Sequence, residues 1–321
     1  MQSQPQQPLA LTIKGQMFEG FLLVKNSEQR TSSNGGKYLD MTLSDQSGDV
    51  NAKMWDGTVA APKPLTVVKM RGMMQEYNGR AQMRVDKLRP VEDGDAVDMS
   101  ILIPCAPYPA EDMRRALTDR AEAIADEKLR QLVLARLEEA GEKLDYYPAA
   151  QKLHHAERGG LLHHVTTMLK GADAICAIYP QLDPDLLAAG VILHDLCKLT
   201  ELNANEVGLA SDYTLEGQLV GHLVQGVAHV QRVGTELGMS RELMIMLEHM
   251  ILSHHDLPEY GSPKPPMFPE AEVLHVLDLL DARMYEMDKA LAAVAPGTFT
   301  DRIWSLERKL YRRKERPIPP A

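Results

Sequence analysis

A chain of 321 residues, 44% hydrophobic and 25% charged, has an ordinary globular composition and room for two domains, which excludes disordered and fibrous classes. No uninterrupted apolar run is long enough to span a bilayer. Three cysteines at unrelated spacings exclude a disulfide framework or a zinc knuckle, so the expected setting is a reducing cytoplasm with no membrane partner. The net charge of −10 argues against nucleic acid only until it is divided: residues 1–90 carry 12 Lys/Arg against 8 Asp/Glu, and the acidic excess lies further on.

The start, "MQSQPQQPLA", is polar and Pro/Gln-rich, without the basic and apolar regions of a secretory leader. Both this stretch and the Pro-rich end are expected to fray. Residues 11–90 alternate polar and apolar positions in five segments, "MFEGFLLVK", "KYLDMTLSD", "DVNAKMWD", "LTVVKMRGMM" and "RAQMRVDKL". Turn sequences ("SSNGG", "DQSGD", "APKP", "EYNGR") separate them, so the pattern predicts five short strands. Such a set suits a small closed barrel, OB-like or SH3-like. Residues 91–110, rich in Pro and Gly, read as a linker.

From residue 111 the pattern turns helical. "EDMRRALTDRAEAIADEKLRQLVLARLEEAGEKL" is built of helix formers, with Gly141 as a stop, and further helices are predicted to about residue 312. The fold class expected is therefore multidomain, a small all-β barrel followed by an all-α domain.

All 11 histidines lie after residue 153. In "GGLLHHVTTMLKGADAIC" the apolar face runs through Leu161, Val165, Met168 and Ala172, which aims His164 inward and His163 toward solvent. "DPDLLAAGVILHDLCK" has Asp183 as an N-cap and Pro184 at the first helical position, then sets His194 and Asp195 at the end of a buried helix with Lys198 one turn on. Two adjacent ionisable groups in a core need a compensating partner. His222, His254, His255 and Asp278 follow, giving the order H…HD…H…HH…D. Imidazoles mixed with carboxylates suit a transition metal. Two carboxylates and four neutral imidazoles around two divalent ions leave roughly +2, enough to attract a phosphate. His154, His155, His229, His249 and His275 read as structural, with His154 and His155 near the cleft; Asp281 reads as a salt-bridge partner for Arg283 or a neighbouring helix.

This order resembles the HD-domain superfamily of metal-dependent phosphohydrolases. "HHAERGGLLHHV", "LHDLCKL", "YTLEGQLVGHLVQG", "HMILSHHDLPEYGSP" and "LDLLDARM" resemble the HD part of the YhaM-type 3′–5′ exoribonucleases. "YLDMTLSDQSGDVNAKMWD" resembles the strands of that family's N-terminal OB-fold, and "FTDRIWSLERKLYRR" its C-terminus. The resemblance implies His164, His194, Asp195 and Asp278 as primary metal ligands, with His222 and His254 at a second ion or the phosphate and His255 beside them. It implies one or two divalent transition-metal ions, Mn²⁺ first, with Fe or Co as alternatives. Two positions depart from the family pattern: Cys197 and Asp256 stand where glycine is usual.

The expected chemistry is metal-assisted hydrolysis of a phosphodiester, with Asp195 bridging the ions and Lys198 reaching a non-bridging phosphate oxygen. The implied substrate is single-stranded RNA, or single-stranded DNA, trimmed from the 3′ end to nucleoside 5′-monophosphates. The barrel is expected to hold the strand through Phe18, Phe21, Tyr38, Trp55 and Tyr77 with Lys53, Arg71 and Arg80. Each aromatic equally suits the barrel core, and Tyr38 and Trp55 stand first. Two alternatives are a phosphohydrolase of mononucleotides or cyclic dinucleotides, and a non-catalytic single-strand-binding protein.

Overall fold

The computed structural model describes residues 6–314; the first five residues and the Pro-rich end, where fraying was expected, lie outside them. The rest of the N-terminal stretch is pinned rather than frayed. Gln6 exchanges two hydrogen bonds with the Phe21 backbone, and Leu9 is buried in the barrel with its amide donating to Asp45 Oδ2 at 2.7 Å. The chain divides into two compact units, one ending at Cys105 and the other beginning at Ala106.

The first unit is a closed barrel of β1 (Met17–Thr31), β2 (Lys37–Asp45), β3 (Gly48–Met54), β4 (Val67–Tyr77) and β5 (Arg80–Pro90), in the order β1-β2-β3-β5-β4. β3 and β5 pair in parallel and the other neighbours antiparallel, which is the five-stranded OB arrangement. Alternate side chains point inward: Leu22 and Val24, Leu39, Met41 and Leu43, Val50 and Ala52, Val68 and Met70, Met83 and Val85. Methionine fills much of this tapered interior, where an unbranched side chain adapts to irregular gaps.

The second unit is helical, with a small hairpin between its helices and another after its last helix. It begins with α1 (Ala110–Glu122) and α2 (Glu127–Ala140), separated where Asp126 caps the second helix by accepting from the Leu129 amide. Gly141 ends α2 at φ +54°, a conformation its missing Cβ allows. α3 (Gly160–Ile178), α4 (Pro184–Leu193) and the single turn α5 (Lys198–Glu201) follow. Then come the hairpin β6 (Leu202–Ala204) and β7 (Ala210–Tyr213), and the helices α6 (Leu215–Leu219), α7 (Gly221–Glu236), α8 (Arg241–Ser253) and α9 (Pro269–Ala292). Asp183 caps α4 and Pro184 occupies its first turn. Every residue of α4 from Leu186 to Leu193 is buried, so this helix is the axis around which the others pack.

Helix was expected to about residue 312, but α9 stops at Ala292. Beyond it the chain turns back as a hairpin in which Phe299 bridges Tyr311 and Ile303 bridges Arg308. Pro296 and Gly297 end the helical run, and two aromatic residues suited to strands then face each other.

Candidate metal centre and nucleic-acid face

α4 ends by delivering its two ionisable residues into the centre of the helical unit. His194 caps the helix and Asp195 opens the turn that leads to α5; they are 0% and 1% exposed. α3 brings His164, the start of α7 His222, the end of α8 His254 and His255, and α9 Asp278.

Asp195 is the hub. Its Oδ2 lies 3.6 Å from His164 Nε2, 3.5 Å from His194 Nε2 and 2.6 Å from Lys198 Nζ. Its Oδ1 faces the other way, 3.3 Å from His222 Nε2 and 3.8 Å from His254 Nε2. His164 Nε2 is also 3.4 Å from His194 Nε2 and 3.3 Å from Asp278 Oδ1. Two groups of donors thus meet on the two oxygens of one carboxylate.

The far side of each imidazole fixes its tautomer. Nδ1 of His194 lies 2.8 Å from the Val191 carbonyl, Nδ1 of His254 the same distance from Ile251, and Nδ1 of His255 the same from Tyr260. A carbonyl only accepts, so each Nδ1 carries the proton and each Nε2 presents a lone pair. His164 Nδ1 donates to Asp281 Oδ2 at 2.7 Å, and His222 Nδ1 to Glu201 Oε1 at 2.9 Å. Such acceptors behind the ring orient a metal-ligating histidine and raise its basicity.

Buried polar atoms without a partner test whether an ion fits. Asp195 Oδ1, His222 Nε2 and His254 Nε2 are buried and make no hydrogen bond, although they converge on one space. Desolvating three such atoms without compensation is costly, and a divalent cation among them satisfies all three. Donor atoms of His164, His194 and Asp195 lie within 4.8 Å of one another, as do those of His222, His254 and His255 and those of His194, His254 and Asp278. The residues fit a metal centre.

Electrostatics agree with that use at three of the imidazoles, while His164 holds a proton that an ion would have to displace. Burial pushes the imidazoles of His194, His254 and His255 down, keeping them neutral as ligands must be. Burial alone would raise Asp195, yet the Lys198 ammonium 2.6 Å away holds it well below the usual carboxylate range. Lys198, though buried, is held up by Asp195 and keeps its proton. Burial would lower His164 too, but its hydrogen bonds to Asp278 and Asp281 outweigh that and raise it to about 9.

The seven expected ligands and Lys198 therefore come together. Two expectations need correction. His163 does not face solvent: it bonds Glu157 Oε1 at 3.1 Å, because Glu157, His155 and Tyr285 form a buried polar cluster beside α3. There burial would raise Glu157, but hydrogen bonds from His163 and Tyr285, with the His155 ring 3.6 Å off, bring it down to about 2. Asp281 takes the second of its two expected partners, a neighbouring helix: it pairs with His164 on α3, and also with His155 Nε2, each at 2.7 Å. Phe18 is no stacking platform, because it is 3% exposed and packed in the barrel core.

Sequence reasoning missed Glu201 and His155 as supports of the centre. Neither left a local signal; only Asp281 did, standing three residues after Asp278 on α9, a separation that shares a helix face. The two departures from the family pattern differ in kind. Cys197 has φ −76°, where no glycine is needed, and packs beside Arg136. Asp256 has φ +63°, in the left-handed region that favours glycine.

On the barrel, Tyr38 and Trp55 stack at 4.8 Å with 29° between their planes, and Lys53 Nζ lies 5.2 Å from the Tyr38 ring and 5.9 Å from that of Tyr77. Trp55 and Tyr77 are 58% and 60% exposed, an aromatic face with a cation across it. Arg80, also exposed, pairs with Tyr77 across the β4–β5 turn. Phe21 is half-buried under Lys69, whose Nζ is 5.4 Å from its ring, and Arg71 is exposed two residues from Lys69 on the same strand. Among the described residues no helix is long and apolar enough to cross a membrane.

The HD domain family model matches residues 161–283, a span that holds every residue of the centre from His164 to Asp281. The 3′-5′ exoribonuclease YhaM of Geobacillus sp. (strain WCH70) is 40% identical over 300 residues, covering 92% of each chain. That of Bacillus subtilis (strain 168) is 39% identical over 300 residues, covering 92% of this chain and 95% of its own. Among solved structures, the second OB-fold domain of replication protein A from Methanococcus maripaludis is similar at TM-score 0.24 and 12% identity, over 29% of this chain and 100% of its own. With relatives this similar over barrel and helical unit alike, the chain belongs to the YhaM family of HD-domain proteins.

Proposed function

We propose that this protein is a metal-dependent 3′–5′ exoribonuclease that hydrolyses single-stranded RNA to nucleoside 5′-monophosphates in the reducing cytoplasm. The observation that carries the reading is the division of Asp195: one oxygen faces His164 and His194, the other His222 and His254. A carboxylate so placed would let two ions be held side by side, His164, His194 and Asp278 serving one and His222, His254 and His255 the other. Neutral imidazoles with two carboxylates suit Mn²⁺. Such ions, when bound, acidify a water and neutralise the phosphate's charge.

The chain's own residues do the rest. Asp281 and Glu201 hold His164 and His222 in orientation from behind. Lys198 keeps its proton at Nζ and, swinging from Asp195 toward a non-bridging phosphate oxygen, stabilises the charge that develops there. The Tyr38–Trp55 stack, Tyr77, Lys53 and Arg80 grip bases and backbone on the barrel. The 3′–5′ polarity follows the named activity of the relatives.

Incubation with Mn²⁺ and 5′-labelled single-stranded RNA tests this. A ladder shortening stepwise from the 3′ end, absent with Asp195→Ala, is expected. An intact band that still shifts on a native gel would overturn the enzyme reading in favour of a binding protein.

A further inference from the structure

The hairpin after α9 is unlike the rest of its unit. Residues 299–314, "FTDRIWSLERKLYRRK", carry six Lys/Arg against two Asp/Glu, in a chain whose net charge is −10. Trp304 at the turn is 86% exposed, Phe299 65% and Tyr311 47%, and the last two rings meet at 5.1 Å across the strands. Among the described residues, Arg302, Lys309 and Arg313 are exposed and have no ion-pair or hydrogen-bond partner. Exposed aromatic rings gathered on one hairpin mark an interaction site, and the excess of cations on the same hairpin suits an anionic ligand.

The backbone holds this display in place. Gly297, at φ +84°, lets the chain reverse, and its amide donates to the Arg312 carbonyl at 2.7 Å. Arg312 donates to the Ala292 and Val294 carbonyls at the end of α9, Leu306 is buried, and Ser305 Oγ donates to Glu286 Oε2 at 2.6 Å. The hairpin thus runs back along α9, the helix that carries Asp278. Glu286 lies eight residues beyond Asp278, about 12 Å of helix. The turn that bears Trp304 is thus anchored to the helix that carries Asp278, about 12 Å further along it.

We propose that this hairpin is a second binding element for single-stranded RNA, separate from the barrel, in which Trp304 stacks on a base and Arg302, Lys309 and Arg313 contact phosphates. The proposal rests on the exoribonuclease reading. It adds that the helical unit grips the strand next to the bond being cut. Stacking and cation contacts are the two means by which single strands are bound without reading sequence. A surface that stacks any base suits an enzyme that must move along the strand one nucleotide at a time.

The chain has two tryptophans, Trp55 and Trp304, so Trp55→Phe leaves Trp304 as the only one. The full-length variant in EDTA, titrated with a single-stranded oligoribonucleotide, should show quenching of Trp304 emission that tracks binding measured by anisotropy. Trp304→Ala should weaken binding by about 10-fold. Reversing Arg302, Lys309 and Arg313 to Glu should flatten the log–log salt dependence by about 2, at roughly 0.7 per lost phosphate contact. Binding and hydrolysis by the wild type with unmoved Trp304 emission would overturn the hairpin's role alone. Emission that responds to phosphatidylserine vesicles and not to RNA would also overturn it. A wild type that neither binds nor cuts single-stranded RNA would sink the exoribonuclease reading, and the hairpin proposal with it.

Discussion

Asp281 Oδ2 accepts the Nδ1 proton of His164 at 2.7 Å, and so holds Nε2 of that ring on Asp195 and Asp278. The same oxygen takes a 2.7 Å bond from His155. Replacing the carboxylate with an amide keeps the shape and loses the charge. Asp281→Asn should raise the Mn²⁺ concentration for half-maximal RNA cleavage by about 10–100-fold, the usual effect of losing such a support. Circular dichroism should show the fold intact.

Glu201 does for the other half of the centre what Asp281 does for the first. It accepts from both the ring and the backbone amide of His222, at 2.9 and 3.1 Å. Glu201→Gln should weaken one of two Mn²⁺ binding events in calorimetry by a similar ~10–100-fold and leave the other unmoved. Equal weakening of both would contradict the division of the ligands into two sets.

The two kinds of aromatic on the barrel should separate cleanly. Trp55→Ala removes an exposed stacking ring and should weaken binding to single-stranded RNA by about 1–3 kcal/mol with an unchanged melting temperature. Phe18→Ala removes a core ring and should destabilise the barrel by about 3–5 kcal/mol in urea.

How far the sequence reached depends on the range of the forces involved. The strands were legible because alternation is a local record of which face is buried, as in Leu39, Met41 and Leu43. The ligand order was legible because His194 and Asp195 stand side by side right after the uninterrupted apolar run Leu186–Leu193. Their supports were not. Glu201 reaches His222 across 21 residues, and His155 and Asp281 meet across 126, and neither pairing leaves a periodicity. The hairpin after α9 was misread for a related reason. Ile303, Leu306 and Leu310 have helical spacing, yet only Leu306 is buried, and the Phe299–Tyr311 pairing that decides the fold spans 12 residues.

Asp256 should respond to the backbone alone. At φ +63° a residue with a Cβ is strained by about 1 kcal/mol, and Asp256→Gly relieves it, less the entropy that glycine adds to the unfolded chain. The net should be a small rise in melting temperature, read by calorimetry.

His229 predicts how stability depends on pH away from the metal centre. Burial, with Arg136 nearby, pushes its imidazole down to about 4, and its Nε2 has no hydrogen-bond partner. Between pH 6.5 and 4 the unfolded chain binds the proton that the folded one refuses, so stability rises with pH across that window. The stability this residue supports is fully present above pH 6.5 and is lost as pH falls toward 4. His229→Gln should flatten that part of a melting-temperature profile.

The claim on which the rest depends is that Asp195 joins two ion sites. Crystals of the protein loaded with Mn²⁺ and measured above the manganese absorption edge address it directly. Two anomalous peaks are expected, one bounded by His164, His194 and Asp278 and the other by His222, His254 and His255, with an Asp195 oxygen on each. A map with no peak against Asp195, or with manganese only at other residues, would contradict it.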